Sequence, residues 1–137
     1  MKVKICIVIS TYNNDITQKL YANAKEELDK SGVKKIDIVE VPGSFEIPVV
    51  ISKLTKKYDG FVAIGCIIKG ETANFDLISK AITNGIMELS IKQKKPIGNS
   101  IITSFNREQA LERFDRGKEA AKAVLRVLKI RWWVKKT

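Results

Sequence analysis

The sequence predicts an α/β fold: a three-layer αβα sandwich with a four-stranded parallel sheet. Four short, apolar and β-branched runs alternate along the chain with segments of helical periodicity. A helix between two successive strands implies parallel pairing and a right-handed crossover, so the alternation predicts a βαβαβαβα order. The run Gly60–Ile68 is apolar at nearly every position, which is typical of a parallel strand buried on both faces. The length of 137 residues suits one domain, which we expect to span residues 1–137.

The first half of the chain supplies two predicted strands and two predicted helices. Asp15 is expected to cap the first helix, over residues 16–31, which closes at Ser31-Gly32. A second, short helix carries Pro48 in its first turn and ends near residue 56. The four strands of the whole chain are predicted at Val3–Ser10, Ile36–Val41, Gly60–Ile68 and Ile97–Thr103.

The second half of the chain supplies the remaining helices. Apolar residues at helical spacing predict a third helix over residues 75–91. The spacing of Asn106 and Gln109 is that of a capping box, from which one last helix is expected to run to Leu128. The carboxyl ends of parallel strands meet at one edge of the sheet, so we expect any catalytic residues in the loops 11–14, 42–46, 66–74 and 103–106.

Composition narrows the possible chemistry. The chain contains no histidine, so a general acid or base must be a carboxylate, Lys, Tyr, Cys, water or the substrate itself. Cys6 and Cys66 fall inside predicted strands, which favours buried thiols over a disulfide, and no metal site is expected. We find no apolar run long enough for a membrane span and no signal-peptide pattern, and therefore expect a cytoplasmic protein without a membrane partner.

The net charge of +10 raises the question of nucleic-acid binding. The lysines are scattered along the chain, however, and are not gathered into one arm with interleaved aromatic residues. Solvated surfaces and an anionic substrate explain the charge more economically, so we expect no nucleic-acid partner and keep a nucleic-acid module as the least favoured alternative.

The segment 63–76 combines a strand, a glycine turn and the start of a helix. A helix N-terminus at the carboxyl end of a parallel strand presents free N–H groups to an anion. The sequence therefore predicts a phosphate site at Gly70-Glu71-Thr72.

Several stretches in order resemble the lumazine synthase family, whose members make 6,7-dimethyl-8-ribityllumazine in the penultimate step of riboflavin biosynthesis. The resemblance spans about residues 3–130 and is most specific in VPGSFEIP at 41–48 and GCIIKGET at 65–72. It implies a flavodoxin-like fold of the lumazine synthase type and a transferase that needs no cofactor. It also implies the condensation of 5-amino-6-(D-ribitylamino)uracil with 3,4-dihydroxy-2-butanone 4-phosphate. The other matching stretches are Ser10-Thr11-Tyr12-Asn13, Asp15-Ile16-Thr17, Phe75-Asp76, Pro96–Thr103, Gln109-Ala110 and Glu112-Arg113.

The resemblance also implies roles for individual residues. Tyr12 would stack on the pyrimidine ring, and Arg113 would reach the phosphate from a neighbouring subunit. Asn99 aligns where many members carry a phenylalanine from the adjacent chain. The remaining implied substrate contacts are Ser44, Phe45 and Glu46 along the ribityl chain, backbone groups of Cys66, Ile67 and Ile68 at the pyrimidine edge, and Glu71 and Thr72 at the phosphate.

Two departures from the family pattern affect the expected chemistry. Asn74 stands where the family's usual histidine is taken to shuttle protons, and an amide does not titrate. After Arg113 the segment is short, and Arg116 and Glu119 align only loosely with a lysine that binds phosphate and an acidic catalytic residue of the family. We expect a slower enzyme, because holding the two reactive substrates together should supply most of the acceleration.

Other classes of protein and more than one assembly also fit the sequence. Asn74 is the feature that favours a lumazine- or flavin-binding protein with little synthase activity. A flavodoxin-like electron carrier is less favoured, since residues 11–14 contain no glycine for a phosphate loop. The family forms homopentamers with active sites between subunits, and sometimes capsids of sixty subunits. The short segment before the first strand mildly favours a free pentamer. For Trp132 and Trp133 two positions stay open: burial in an interface, or exposure at the end of the chain.

Overall fold

A computed structural model describes residues 2–130 and 135–137, so Trp132 and Trp133, whose position the sequence leaves open, lie outside the described residues. The α/β prediction is confirmed: four parallel strands form one sheet in the order β2-β1-β3-β4. The strands are β1 (Lys4–Ser10), β2 (Lys35–Val41), β3 (Gly60–Ile68) and β4 (Ile97–Ser104). The helices are α1 (Asn14–Lys30), α2 (Ile47–Leu54), α3 (Phe75–Gln93), α4 (Arg107–Leu111) and α5 (Asp115–Leu128), with a 3-10 turn at Ser44–Glu46.

The register of the sheet brings the loops after the central strands together. Ile5 of β1 pairs with Ile36 of β2 on one side and with Gly60 of β3 on the other. Phe61 of β3 pairs with Ile97 of β4. Every residue of β3 is buried, as its continuous apolar sequence predicts.

The sheet divides the core into two apolar layers. In β1, Ile5, Ile7 and Ile9 face the layer beneath α1 and α5, whereas Cys6 and Val8 face the layer beneath α2 and α3. This alternation follows from the two-residue period of a strand. Both thiols are free and buried, as predicted.

Two predictions about helix ends are wrong. Asp15 does not cap α1; the residue at that position is Asn13, in a left-handed conformation with φ 59° and with no side-chain cap bond. Asp15 lies in the first turn and forms an ion pair with Arg107 instead. The last predicted helix is two helices, because the chain turns at residues 112–114 so that Ala110 of α4 and Val124 of α5 both reach the same apolar layer.

The predicted cap at Asn106 is confirmed. Its Oδ1 accepts a hydrogen bond from the Gln109 N–H at 2.9 Å, and Gln109 Oε1 accepts from the Phe105 N–H, also at 2.9 Å. Over residues 2–130 and 135–137, none of the helices has the length and apolar character needed to cross a membrane.

Candidate active site

A pocket with a volume of about 330 Å³ opens at the carboxyl edge of the sheet. This is the edge at which parallel α/β sheets bind their ligands. The pocket combines the loops after β1 and β2 with the end of β3 and the start of α3. Its lining residues are Tyr12, Gly43, Ser44, Phe45, Cys66, Ile67, Ile68, Glu71, Thr72 and Ile78.

Two aromatic rings at the pocket are available to a ligand. Tyr12 is 57% exposed and Phe45 is 62% exposed, although both line the cavity. An aromatic face left uncovered by protein can stack on a planar heterocycle. The pocket can therefore accept a flat ring without displacing core side chains.

The inner wall of the pocket depends on a glycine in β3. A Cβ added at Gly65 would lie 2.3 Å from Ser44 Oγ, far inside contact distance. A side chain at this position would force Ser44, which is 8% exposed and lines the same cavity as Cys66, to shift.

The Cys66 thiol is a neutral wall group. Burial raises its pKa to about 11, and the nearby Glu71 carboxylate acts in the same direction. Since the thiolate is the nucleophilic form of cysteine, a thiol with this pKa is unreactive near pH 7.

The predicted phosphate loop contains a tight turn. The Glu71 N–H donates to the Ile68 carbonyl at 3.2 Å, and Gly70 has φ 94° at the third position of this turn. A positive φ at the third position of such a turn favours glycine, as it does in a type II turn. The Glu71 N–H is thus shared with the turn, and the loop can offer an anion its remaining groups from Thr72 onward.

Asn74 directly precedes α3 and is exposed. Its N–H lies 3.4 Å from Thr72 Oγ1, and the residue is not among those that line the pocket. Glu46 also stands back from the cavity: its Oε1 accepts from the Gly43 N–H at 2.9 Å, which fixes the loop after β2.

Four other candidate residues gather along β4, apart from the residues lining the pocket. Arg113 Nη1 donates to the Thr103 carbonyl at 2.7 Å. Arg116 Nη2 donates to the Asn99 carbonyl at 3.4 Å, and Arg116 Nε lies 3.6 Å from Glu119 Oε2. The resemblance assigns Asn99, Arg113, Arg116 and Glu119 to the substrates, but within this chain they do not meet the pocket.

Sequence reasoning assigned no site role to a polar network beside the pocket. Asn13 Nδ2 donates to the Cys66 carbonyl at 3.3 Å and to Glu71 Oε2 at 3.1 Å. Arg107 Nη1 donates to Asn13 Oδ1 at 3.0 Å, and its other terminal nitrogen pairs with Asp15. The hydrogen bond from Arg107 holds the pKa of Asp15 below its usual value. Asn13 was visible as a turn residue beside Tyr12, but no local pattern connects it with Arg107.

Among the described residues, no three cysteine, aspartate or glutamate side chains are grouped so as to hold a metal ion.

Comparison with known proteins places the chain in a family. The sequence model of the family described as 6,7-dimethyl-8-ribityllumazine synthase matches residues 2–131. A relative of that name from Buchnera aphidicola subsp. Baizongia pistaciae is 41% identical over 139 residues, covering 94% of this chain and 87% of the relative. Relatives of the same name from Afipia carboxidovorans and Lactiplantibacillus plantarum are each 38% identical and cover 93% and 92% of this chain, and 85% and 83% of their own lengths. The chain belongs to the 6,7-dimethyl-8-ribityllumazine synthase family.

Proposed function

We propose that this protein, as a single lumazine synthase domain, condenses 5-amino-6-(D-ribitylamino)uracil with 3,4-dihydroxy-2-butanone 4-phosphate. The products are 6,7-dimethyl-8-ribityllumazine, phosphate and water. One observation carries the proposal: Tyr12, Ser44, Phe45, residues 66–68 and the loop at Glu71 and Thr72 line one cavity in a member of this family.

The pyrimidine substrate occupies the part of the cavity beside β3. The exposed ring of Tyr12 stacks on the heterocycle, and backbone groups of residues 66–68 bind its polar edge. The ribityl chain lies along Ser44 and Phe45 in the loop after β2. The Glu46 carboxylate accepts hydrogen bonds from the ribityl hydroxyl groups in addition to the one from the Gly43 N–H.

The phosphate of the second substrate binds at the start of α3. Thr72 and the helix N-terminus supply N–H groups, which favour an anion there. Arg113 and Arg116 add positive charge from a neighbouring subunit, and the guanidinium fork suits a phosphate. This arrangement places the ketone of one substrate beside the amine of the other.

The reaction proceeds by proximity and proton transfer through groups other than histidine. The amine attacks the ketone and water leaves as the Schiff base forms; elimination then breaks the C–O bond to phosphate, and ring closure expels a second water. Effective molarities of well-oriented groups reach about 10⁵–10⁸ M, so positioning alone accounts for much of the acceleration. Asn74 holds water or substrate at the loop, and Glu119 of the neighbouring subunit supplies a carboxylate.

The active unit is a homopentamer with sites between subunits. Exposed apolar side chains on α2 and α3 support an interface there: Val49 is 57%, Leu77 69%, Met87 58% and Ile91 68% exposed. Contiguous exposed apolar surface is typical of protein interfaces, and these side chains on two helices that pack together are the candidates for such a surface. Twelve such pentamers would make up a capsid of sixty subunits. The cytoplasmic location stays a prediction.

Growth without riboflavin tests the function. A bacterium that lacks its own lumazine synthase should grow on medium without riboflavin when it expresses this chain. A Gly65→Val variant, which fills the space of Ser44, is the matched negative control. Failure of the wild-type chain to support growth, with soluble protein present, would favour a lumazine- or flavin-binding protein instead.

A further inference from the structure

We propose that Arg107 is a positioning residue for the pocket, acting through Asn13 on the loop that takes the substrate's phosphate. The inference rests on the proposed function for the identity of that phosphate. The connection runs from Asp15 through Arg107 and Asn13 to Glu71 and the Cys66 carbonyl.

The chemistry of the partners allows Asn13 only one amide orientation. An arginine side chain has donors and no acceptor, so the atom facing Arg107 Nη1 at 3.0 Å must be the amide oxygen. A backbone carbonyl and a carboxylate have acceptors only, so the atom facing Cys66 and Glu71 must be the NH₂ group. Arg107 therefore selects the orientation in which Asn13 can hold the pocket wall.

The two side chains that Arg107 bonds, Asn13 and Asp15, both lie at the start of helix α1. The Asn13 carbonyl accepts from the Ile16 and Thr17 N–H groups at 3.0 Å, which anchors its left-handed backbone. Asp15 in the same turn of α1 holds the second terminal nitrogen of Arg107. The guanidinium fork thus spans two residues of one rigid helix end and directs the Asn13 side chain at the loop.

The consequence for the loop concerns the Glu71 carboxylate. Glu71 follows Gly70 in the predicted anion site. An unbonded carboxylate there would repel a bound phosphate, or would accept hydrogen bonds from the N–H groups that bind the phosphate. Bonded to Asn13 Nδ2 at 3.1 Å, the carboxylate is kept at the side of the loop nearest α1. Arg107 offsets part of the negative charge that Asp15 and Glu71 bring to this edge.

The sharpest test is Asn13→Asp. Aspartate tolerates the left-handed backbone and still pairs with Arg107, but it replaces the NH₂ donor with an oxygen that faces the Glu71 carboxylate. We expect the KM for 3,4-dihydroxy-2-butanone 4-phosphate to rise roughly 10-fold, since charge repulsion and misplacement fall on the anion loop. The KM for the pyrimidine should rise by less, because on that side Asn13→Asp loses only the hydrogen bond to the Cys66 carbonyl.

Two further variants separate positioning from general damage. Combining Asn13→Asp with Glu71→Gln reverses donor and acceptor, and should restore most of the lost affinity for the phosphate substrate. Arg107→Ala should raise the same KM about 5-fold, because the amide loses the partner that orients it. Lys25→Ala is the matched control: it also breaks an exposed ion pair, with Asp29 on α1, and should leave both KM values unchanged.

The two KM values of each variant are measured from the rate of lumazine formation, with each substrate varied in turn. Selective KM rises with rescue by the double substitution support the proposal. Unchanged KM values, or equal rises for both substrates with a lower Tm, would overturn it. Titration of inorganic phosphate, followed by the amide NMR signals of residues 70–72, gives the same comparison without catalysis. A wild type that binds phosphate through this loop but forms no lumazine would therefore count against the proposed function and not against the role of Arg107.

Discussion

Asn74 stands directly before α3, beside the loop that is proposed to hold the substrate's phosphate. Its side chain is an amide, which can donate and accept hydrogen bonds but cannot take up or release a proton. No histidine occurs elsewhere in the chain to replace that function. At the scale of a single residue, Asn74 therefore provides no proton transfer at this position, and the proposed reaction depends more on how the two substrates are positioned.

Asn74→His should raise turnover by up to roughly 100-fold, the lower end of what a general base typically contributes. The base is the neutral imidazole, so kcat should rise with pH as the histidine loses its proton, near its usual pKa of about 6.5. The positive end of the helix dipole at α3 disfavours the imidazolium and shifts this rise toward lower pH.

The measurement is kcat at saturating substrates from pH 5 to 9. Asn74→Gln, which adds a side chain without a titrating group, should show neither the gain nor the new pH dependence. Unchanged turnover in Asn74→His would mean that proton transfer at this position does not limit the reaction.

Helix α5 is held against both α1 and the sheet by glycines that permit close approach. A Cβ added at Gly117 would lie 2.2 Å from the Leu20 carbonyl oxygen of α1, and one added at Gly98 of β4 would lie 2.5 Å from the Ala120 carbonyl oxygen of α5. Both obstacles are backbone atoms, which cannot move aside without shifting a whole element. The packing of α5 in turn sets where Arg116 and Glu119 stand.

Gly117→Ala should destabilise the protein by about 1–3 kcal/mol, the usual cost of overpacking a close contact. Gly85→Ala is the matched control within another helix, because its Cβ would meet Pro48 at an ordinary 3.5 Å. That control should gain about 0.5–1 kcal/mol from better helix propensity. Denaturant unfolding of both variants measures the difference, and equal stabilities would contradict the tight crossing of α1 and α5.

Element types and sheet order were predictable because they follow from local periodicity and crossover rules. The break between α4 and α5 was not, since the sequence from Arg107 to Leu128 keeps a helical apolar pattern while tertiary packing bends the chain. The prediction for Asp15 failed for a similar reason. Aspartate is a common helix cap, but in the folded chain Asp15 forms an ion pair with the distant Arg107. Most pocket-lining residues were predictable from their positions in the loops and from the family resemblance. The hydrogen bond between Asn13 and Arg107 was not, because it joins residues 94 positions apart and leaves no local signal in the sequence.

At the scale of the whole molecule, the candidate residues fall into two groups on one chain. Tyr12 and the loop at Glu71 line the pocket, whereas Arg113, Arg116, Asn99 and Glu119 lie along β4 and are not part of its lining. A ring of identical subunits would resolve the separation, since a head-to-tail interface would bring one group of each subunit to the other group of its neighbour. The proposed pentamer has this kind of interface.

Subunit mixing tests the shared site. Tyr12→Ala and Arg113→Ala subunits should each be nearly inactive alone, because each removes one half of every site. The two variants are dissociated, mixed in equal amounts and reassembled. In a ring of random order, about one site in four combines an intact Tyr12 with an intact Arg113, so the mixture should recover about a quarter of wild-type activity. Native mass spectrometry of the same samples should report five subunits. No recovery on mixing, with mixed pentamers present, would place both residues in one subunit's site.

The synthase activity itself is tested most directly by the rate at which purified protein forms 6,7-dimethyl-8-ribityllumazine from the two substrates, followed by absorbance against a reaction without enzyme. The predicted result is a rate clearly above that control, with Asn74 in place. A rate equal to the control, together with tight binding of the lumazine or of riboflavin, would contradict it and mark a pocket that binds without catalysing.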